Sequence, residues 1–169
     1  VINLSTSRTV EDIAKGFNAK VYRTPVGEIN VAEKLIKTRS VIGGEGNGGV
    51  IYPEVNFGRD SLAGIGIILD LLAYSKEKLS DILGRFPKYS MMKTKFNIEG
   101  LSPDKIFKLL EKDFGDGKIN KEDGMRFDFD DYWFHIRKSN TEPIVRLIIE
   151  AKSKNLLDRM MRRLERYFK

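Results

Sequence analysis

Cysteine is absent from the chain, which removes any disulfide framework, any thiolate nucleophile and any sulfur ligand for a metal. Histidine occurs once, at His135, and a lone imidazole without cysteine does not make a transition-metal cluster of the usual kind, so no metal site is expected in this chain. Long apolar runs are also missing. The longest, residues 62–73, is interrupted by Gly64, Gly66 and Asp70 and is well short of the roughly 20 residues that crossing a bilayer demands. No basic and apolar leader stands at the front, and the absence of cysteine leaves the compartment open, with the cytoplasm the default expectation. There is no run of five or six basic residues and no zinc-finger spacing, so nucleic acid is not the expected partner. A Gly-Lys-Ser/Thr phosphate loop and a G-x-G-x-x-G dinucleotide turn are both lacking. Ser139 and His135 share an extended run, but nothing fixes a third partner for a nucleophilic triad. Asp128, Asp130 and Asp131 border a turn that explains them, and the calcium-loop register around Asp116 and Gly117 fails because Lys112 and Phe114 would be ligands.

What is present suffices for real cores, with 41% hydrophobic residues in a chain of 169. The net charge of +6 is unevenly placed: residues 1–84 carry 10 basic and 10 acidic side chains, residues 85–169 carry 20 and 14. Two modules are expected, the second attractive to phosphorylated ligands, with a linker near residues 84–89 where Pro87 stops helical sequence. The chain opens on Val1 inside a strand-like run rather than on methionine, which reads as a piece of something longer.

In the first module, residues 1–4 suit a buried parallel strand, and Thr9 caps a helix whose apolar positions are Val10, Ile13, Ala14 and Phe17. A strand over residues 20–24 and a helix over 30–38, with Val31, Leu35 and Ile36 inward, continue an α/β rhythm. Strand-like residues 40–42 and 50–52 then flank Gly43, Gly44, Glu45, Gly46, Asn47, Gly48 and Gly49. Each glycine costs about 1 kcal/mol of ordering relative to alanine, so this stretch serves backbone shape or close approach. One carboxylate, Glu45, and one amide, Asn47, suit the hydroxyls of a polyol. Asp60 or Ser61 caps the apolar helix at 62–73; its nearly all-round hydrophobicity predicts burial on more than one side, as the central packing helix. A more polar helix at 76–84 would turn Leu79, Ile82 and Leu83 inward.

The second module reads strand, helix, three strands, helix: a strand at 91–98, a helix at 104–114 capped by Ser102, strands beginning at Met125, Tyr132 and Val145, and a helix at 155–168. A small α+β sandwich follows, helices covering one side of an antiparallel sheet. Arg159, Arg162, Arg163 and Arg166 fall on the polar face of the last helix, to be solvated or, as an alternative function, to bind RNA. Between two strands the chain crowds Arg137, Ser139, Asn140 and Thr141 into one polar turn, with Arg146 just beyond. A planar guanidinium fork beside short hydroxyl donors is the inventory of an anion cradle. Together these groups hold a phosphorylated polyol but supply no nucleophile.

The succession of Thr24-Pro25-Val26-Gly27, Gly43 to Gly49, Gly58-Arg59-Asp60 and Arg137-Lys138-Ser139-Asn140-Thr141-Glu142-Pro143 with Arg146 resembles the carboxy-terminal half of an alpha-D-phosphohexomutase. That family includes phosphoglucomutases, phosphomannomutases and phosphoglucosamine mutases, and the resemblance covers essentially the whole chain. It implies domain three at 1–84, an α/β layer with the sugar-recognition loop, and domain four at 85–169, with the phosphate-binding loop. It also implies that Arg137, Ser139, Asn140 and Thr141, supported by Arg146, hold the phosphate that is not transferred, while Glu45 and Asn47 meet the sugar. Asn47 stands where many members have serine and Gly49 where many have histidine, which leaves the hexose unspecified. The phosphoserine, the Mg2+ and the N-terminal domains that carry them would lie in a missing half, with a hexose 1,6-bisphosphate as intermediate. This chain alone is then expected to be inactive; a stand-alone sugar-phosphate-binding or regulatory module is the alternative.

Overall fold

A computed structural model describes residues 1–139 and 141–168. The chain divides into two compact units, Val1–Lys88 and Tyr89–Lys169.

The first unit is α/β. Its sheet has the order β2-β1-β3-β4, with β1 Ile2–Asn3 at the centre, β2 Arg23–Thr24 and β3 Gly43–Gly44 parallel to it, and β4 Val50–Ile51 returning antiparallel to β3. The parallel neighbours are reached through α1 Thr9–Gly16 and α2 Glu28–Thr38. Val31 and Leu35 on one stripe of α2 are buried with Val1 and Ile51, and Tyr22 closes the cluster. Each such side chain contributes about 1.5–3 kcal/mol of transfer free energy. Arg23 knits the layer to its loops: its Nε and Nη2 donate to Glu11 at 3.0 and 2.8 Å, and its Nη1 donates to the carbonyls of Asn3 and Thr6.

Several expectations for this unit are corrected. The strands are two residues long, and the strand expected at 40–42 falls instead at Gly43–Gly44, inside the glycine run. Thr9 is the first helical residue rather than a cap; its amide is met by Ser7 Oγ at 3.1 Å. Ile36, Phe17, Leu79 and Leu83 are exposed, whereas Ile82 is buried. The largest correction concerns α3 Ser61–Ser75, capped by Asp60, whose side chain accepts from Ala63 N at 2.9 Å. Buried residues are absent from α3, and Leu62, Ile65, Ile68, Leu69 and Leu71 are all exposed. Its packing partner is β4, with Gly64 lying against Val50. The period and composition reported an apolar surface correctly, but composition does not say whether the cover for it lies in the same unit. α4 Leu79–Gly84 closes the unit. Among the described residues no helix is long and apolar enough to cross a membrane.

The second unit is α+β, an antiparallel sheet of order β5-β9-β8-β7-β6: β5 Ser90–Asn97, β9 Ile144–Ala151, β8 Tyr132–Lys138, β7 Met125–Asp128 and β6 Lys118–Asn120. The edge strand β6 was not foreseen, because three residues are too few for a period to show. Helices α5 Pro103–Asp113 and α6 Lys154–Glu165 are capped by Ser102 and Ser153, and a 3-10 turn, Arg166–Phe168, follows α6. Their apolar stripes, Ile106, Leu110, Leu157, Met160, Met161 and Leu164, form one core with Phe127, Phe134, Ile136, Leu147 and Ile149 of the sheet. Phe127 and Phe134 stack at 4.5 Å, and Phe114 meets Phe134 edge-on at 4.9 Å.

The arginines of α6 are exposed, with Arg163 also lying over the Phe114 ring at 4.1 Å and donating to the Asp113 carbonyl. A contrast between helices tests this description. Leu35→Ala, which opens a cavity, is expected to cost the first unit about 2–5 kcal/mol, while Leu69→Gln on α3 stays within about 0.5 kcal/mol. Denaturant melts of the two variants compare them directly.

Candidate functional site

Because β1, β2 and β3 run parallel, the loops that follow them emerge at one edge of the sheet, the edge at which α/β layers bind ligands. Glu45 stands there, directly after β3. Its Oε1 accepts from Asn3 Nδ2 at 3.0 Å and from the backbone N–H of Gly27 at 3.3 Å, so the end of β1 and the loop between β2 and α2 both hold it. Its Oε2 meets only longer contacts, Asn47 Nδ2 at 3.4 Å and Arg59 Nη1 at 3.7 Å. The Glu45 side chain is 6% exposed, so its carboxylate is fixed in place and one oxygen remains under-used. Asn47 is exposed, its Oδ1 accepting from Gly49 N at 3.1 Å. Asn3 is itself shaped by a local turn, Oδ1 accepting from Ser5 N and Thr6 Oγ1.

Arg59 is the member of this cluster that sequence reading did not single out by chemistry. Its backbone N–H and its Nε both donate to Glu28, each at 2.7 Å. These bonds, the backbone one foremost, hold the Glu28 carboxyl below the usual range, and the same pairing raises Arg59. The close approach expected of the glycine run is seen at Gly49, where an added Cβ would run into the Arg59 stem.

The second cluster lies where β8 gives way to β9. Ser139 N–H donates to the Ile144 carbonyl at 2.9 Å, and Ser139 Oγ accepts from Thr141 N–H at 3.5 Å. Ser139 is buried, Thr141 exposed, and Asn140 lies outside the described residues. Arg137 is paired across the ladder with Arg146, which is paired in turn with Lys95. Three cations thus stand in one row across β8, β9 and β5. Like charges directly opposite one another are destabilising unless something relieves them. Arg146 has Glu142 at 3.7 Å, and Arg137 has Asp123 at 3.4 Å, both looser than the 2.7–2.8 Å pairing of Arg126 with Asp128 on the same sheet. Lys95 and Asp123 were missed because they belong to other strands and turns, and only the register brings them in.

Asp123 belongs to the turn between β6 and β7. Gly124, at φ +69°, lets that turn press against the Ile136 and Arg137 backbone. The Asp123 carbonyl lies 2.6 Å from His135 Nε2, and since a carbonyl only accepts, that nitrogen carries the proton. The role of His135 is structural: it holds the turn that faces Arg137. Next to it, Arg126 stacks over Trp133 at 3.8 Å, and Trp133 Nε1 donates to Glu150 at 2.5 Å, all three buried. Among the described residues, no group of three or more His, Asp or Glu side chains could hold a metal ion.

Burial pushes the His135 imidazole below its ordinary value of 6.5, the Asp123 carbonyl opposing that in part. Between pH 6.5 and the lower folded value, the unfolded chain binds a proton that the folded unit does not, so stability falls as the solution is acidified through that window. The lone imidazole should titrate by NMR with a midpoint below 6.5, and the denaturation midpoint of the second unit should be lower at pH 5.5 than at 7.5. An upward-shifted imidazole would contradict the sign.

Comparison with known proteins agrees with both units. The family model described as "Phosphoglucomutase/phosphomannomutase, alpha/beta/alpha domain III" matches residues 1–89, and that of the family's C-terminal domain matches residues 95–166. A phosphoglucomutase/phosphomannomutase of Thermococcus kodakarensis is 42% identical over 154 residues, covering 90% of this chain and 34% of that protein. A phosphoglucosamine/phosphogalactosamine mutase of Sulfurisphaera tokodaii is 32% identical, covering 98% and 37%. Among solved structures, a phosphoglucomutase/phosphomannomutase family protein of Burkholderia thailandensis superposes with a TM-score of 0.80 at 25% identity, over 98% of this chain and 36% of that one. The chain therefore spans about a third of the length of these relatives. It belongs to the phosphoglucomutase/phosphomannomutase family, of which it carries domain III followed by the C-terminal domain.

Proposed function

We propose that the chain is the ligand-gripping part of a phosphohexose mutase that interconverts hexose 6-phosphate and hexose 1-phosphate through a 1,6-bisphosphate. In this reading residues 1–84 recognise sugar hydroxyls through Glu45 and Asn47. Residues 85–169 hold the phosphate that is not being transferred, through Arg137, Ser139, Asn140, Thr141 and Arg146. The observation that carries the reading is the Arg137–Arg146 cross-strand pair, loosely countered by carboxylates and set beside the Ser139 return. A phosphate dianion there would relieve the like-charge pairing and accept the guanidinium fork.

Group transfer itself is assigned to residues outside this chain. Magnesium would there stabilise charge on the moving phosphoryl group; the described residues do not form a site for it. What Arg137 and Arg146 contribute in the second unit is a grip on phosphate, and what Glu45 contributes in the first is a grip on hydroxyls; both are orientation rather than group transfer. The exposed apolar surface of α3 is where the remainder of the protein would pack, and a cytoplasmic location accompanies this assignment.

Titration of the chain with inorganic phosphate and with glucose 6-phosphate, followed by amide shifts, tests the assignment. Arg137→Ala should weaken both by about 1.5–3 kcal/mol, the range for hydrogen bonds to charged groups, and unchanged binding would remove Arg137 from the site. With glucose 6-phosphate, glucose 1,6-bisphosphate and magnesium supplied together, the chain alone should show no isomerisation. Turnover that depends on this chain would overturn the division of labour.

A further inference from the structure

The contact between Glu45 Oε2 and Arg59 Nη1 is too long for a strong hydrogen bond, at 3.7 Å, although both groups are held firmly by other partners. Glu45 is fixed through Oε1 by Asn3 and Gly27. Arg59 is fixed through its backbone N–H and Nε by both oxygens of Glu28. The Arg59 stem can lie across the loop only because position 49 has no Cβ. Neither partner therefore closes the gap freely. Yet the Arg59 side chain is 47% exposed, so its free guanidinium edge faces solvent beside the one under-used carboxylate oxygen.

An acceptor and a donor set this far apart are both within reach, at about 2.8 Å each, of one oxygen atom placed between them. That oxygen must donate to the carboxylate and accept from the guanidinium, which a hydroxyl does and an ammonium, having no acceptor, does not. We propose that Arg59 is a specificity-determining residue of the sugar site, its Nη1 donating to the same ring hydroxyl that donates to Glu45 Oε2. The inference rests on the assignment of Glu45 to the sugar and adds to it the residue that reads the hydroxyl. Because Glu28 already restricts the arginine, little further side-chain freedom is lost when the hydroxyl arrives. A donor–acceptor bridge of this kind discriminates more sharply than shape alone, since a ligand lacking the group leaves both partners unpaired.

The test uses the whole chain and a panel of glucose 6-phosphate with its 2-, 3- and 4-deoxy analogues, followed by the amide shifts of residues 45–49. The wild type should bind one of the deoxy analogues about tenfold more weakly than the parent. Arg59→Gln should bind the parent about tenfold more weakly and lose that preference, while its affinity for inorganic phosphate is unchanged. Arg59→Lys keeps a charge against Glu28 and guards against simple loss of fold; it should lose the preference as well, because its single ammonium cannot serve Glu28 and the gap together. Either variant retaining the wild-type preference would overturn the role of Arg59 and leave the sugar site standing. A wild type that bound every analogue equally, with no shifts at residues 45–49, would instead overturn the sugar assignment itself.

Discussion

The register between β8 and β9 is the constraint on which the second unit depends. Lys138 faces Val145, and the Ser139 N–H closes on the Ile144 carbonyl, so the polar return begins at a defined point. With side chains alternating every residue, a slip of one position would carry Phe134 and Ile136 out of the core and turn Trp133 and His135 into it. The buried apolar set on the helix side forbids that slip. The same choice places Arg137 opposite Arg146 and Arg146 opposite Lys95. Core packing thus decides where the cations stand, although none of them belongs to the core.

Beneath the cation row, the sheet face carries groups that do not move easily. Arg126 is forked onto Asp128 and stacked on Trp133, which is bonded to Glu150, and His135 ties down the neighbouring turn. Breaking a buried pair by removing one partner leaves an uncompensated charge, so such a network is costly to disturb whatever it contributes in sum. The first unit solves a similar problem with a parallel sheet, whose strand ends bring Asn3, Gly27 and Glu45 to one edge. In both units short backbone elements place polar atoms to within ångströms, and the long helices mostly supply mass behind them.

Much of this was legible in the residues. The α/β and α+β characters, the caps at Asp60 and Ser102, and the two polar loops follow from period, composition and turn chemistry. Strands of two or three residues did not show, because they are shorter than any period that could reveal them; β6 was missed and β3 was misplaced for that reason. α3 was read as buried, since hydrophobicity reports that a surface wants cover and not which segment provides it. At the candidate sites, loop residues announced themselves by type, whereas Lys95, Asp123 and Arg59 joined through pairing partners remote in sequence. Arg59 had one visible signal, its place between Gly58 and the cap Asp60, but its meaning needed the position of Gly49.

The stacking of Arg126 on Trp133 has a practical consequence. Trp133 is the chain's single tryptophan, fully buried and confined to the second unit. Indole emission is therefore an optical label for one half of the molecule. The other half holds no indole and is silent in that emission, so a change in that signal reports on the second unit alone.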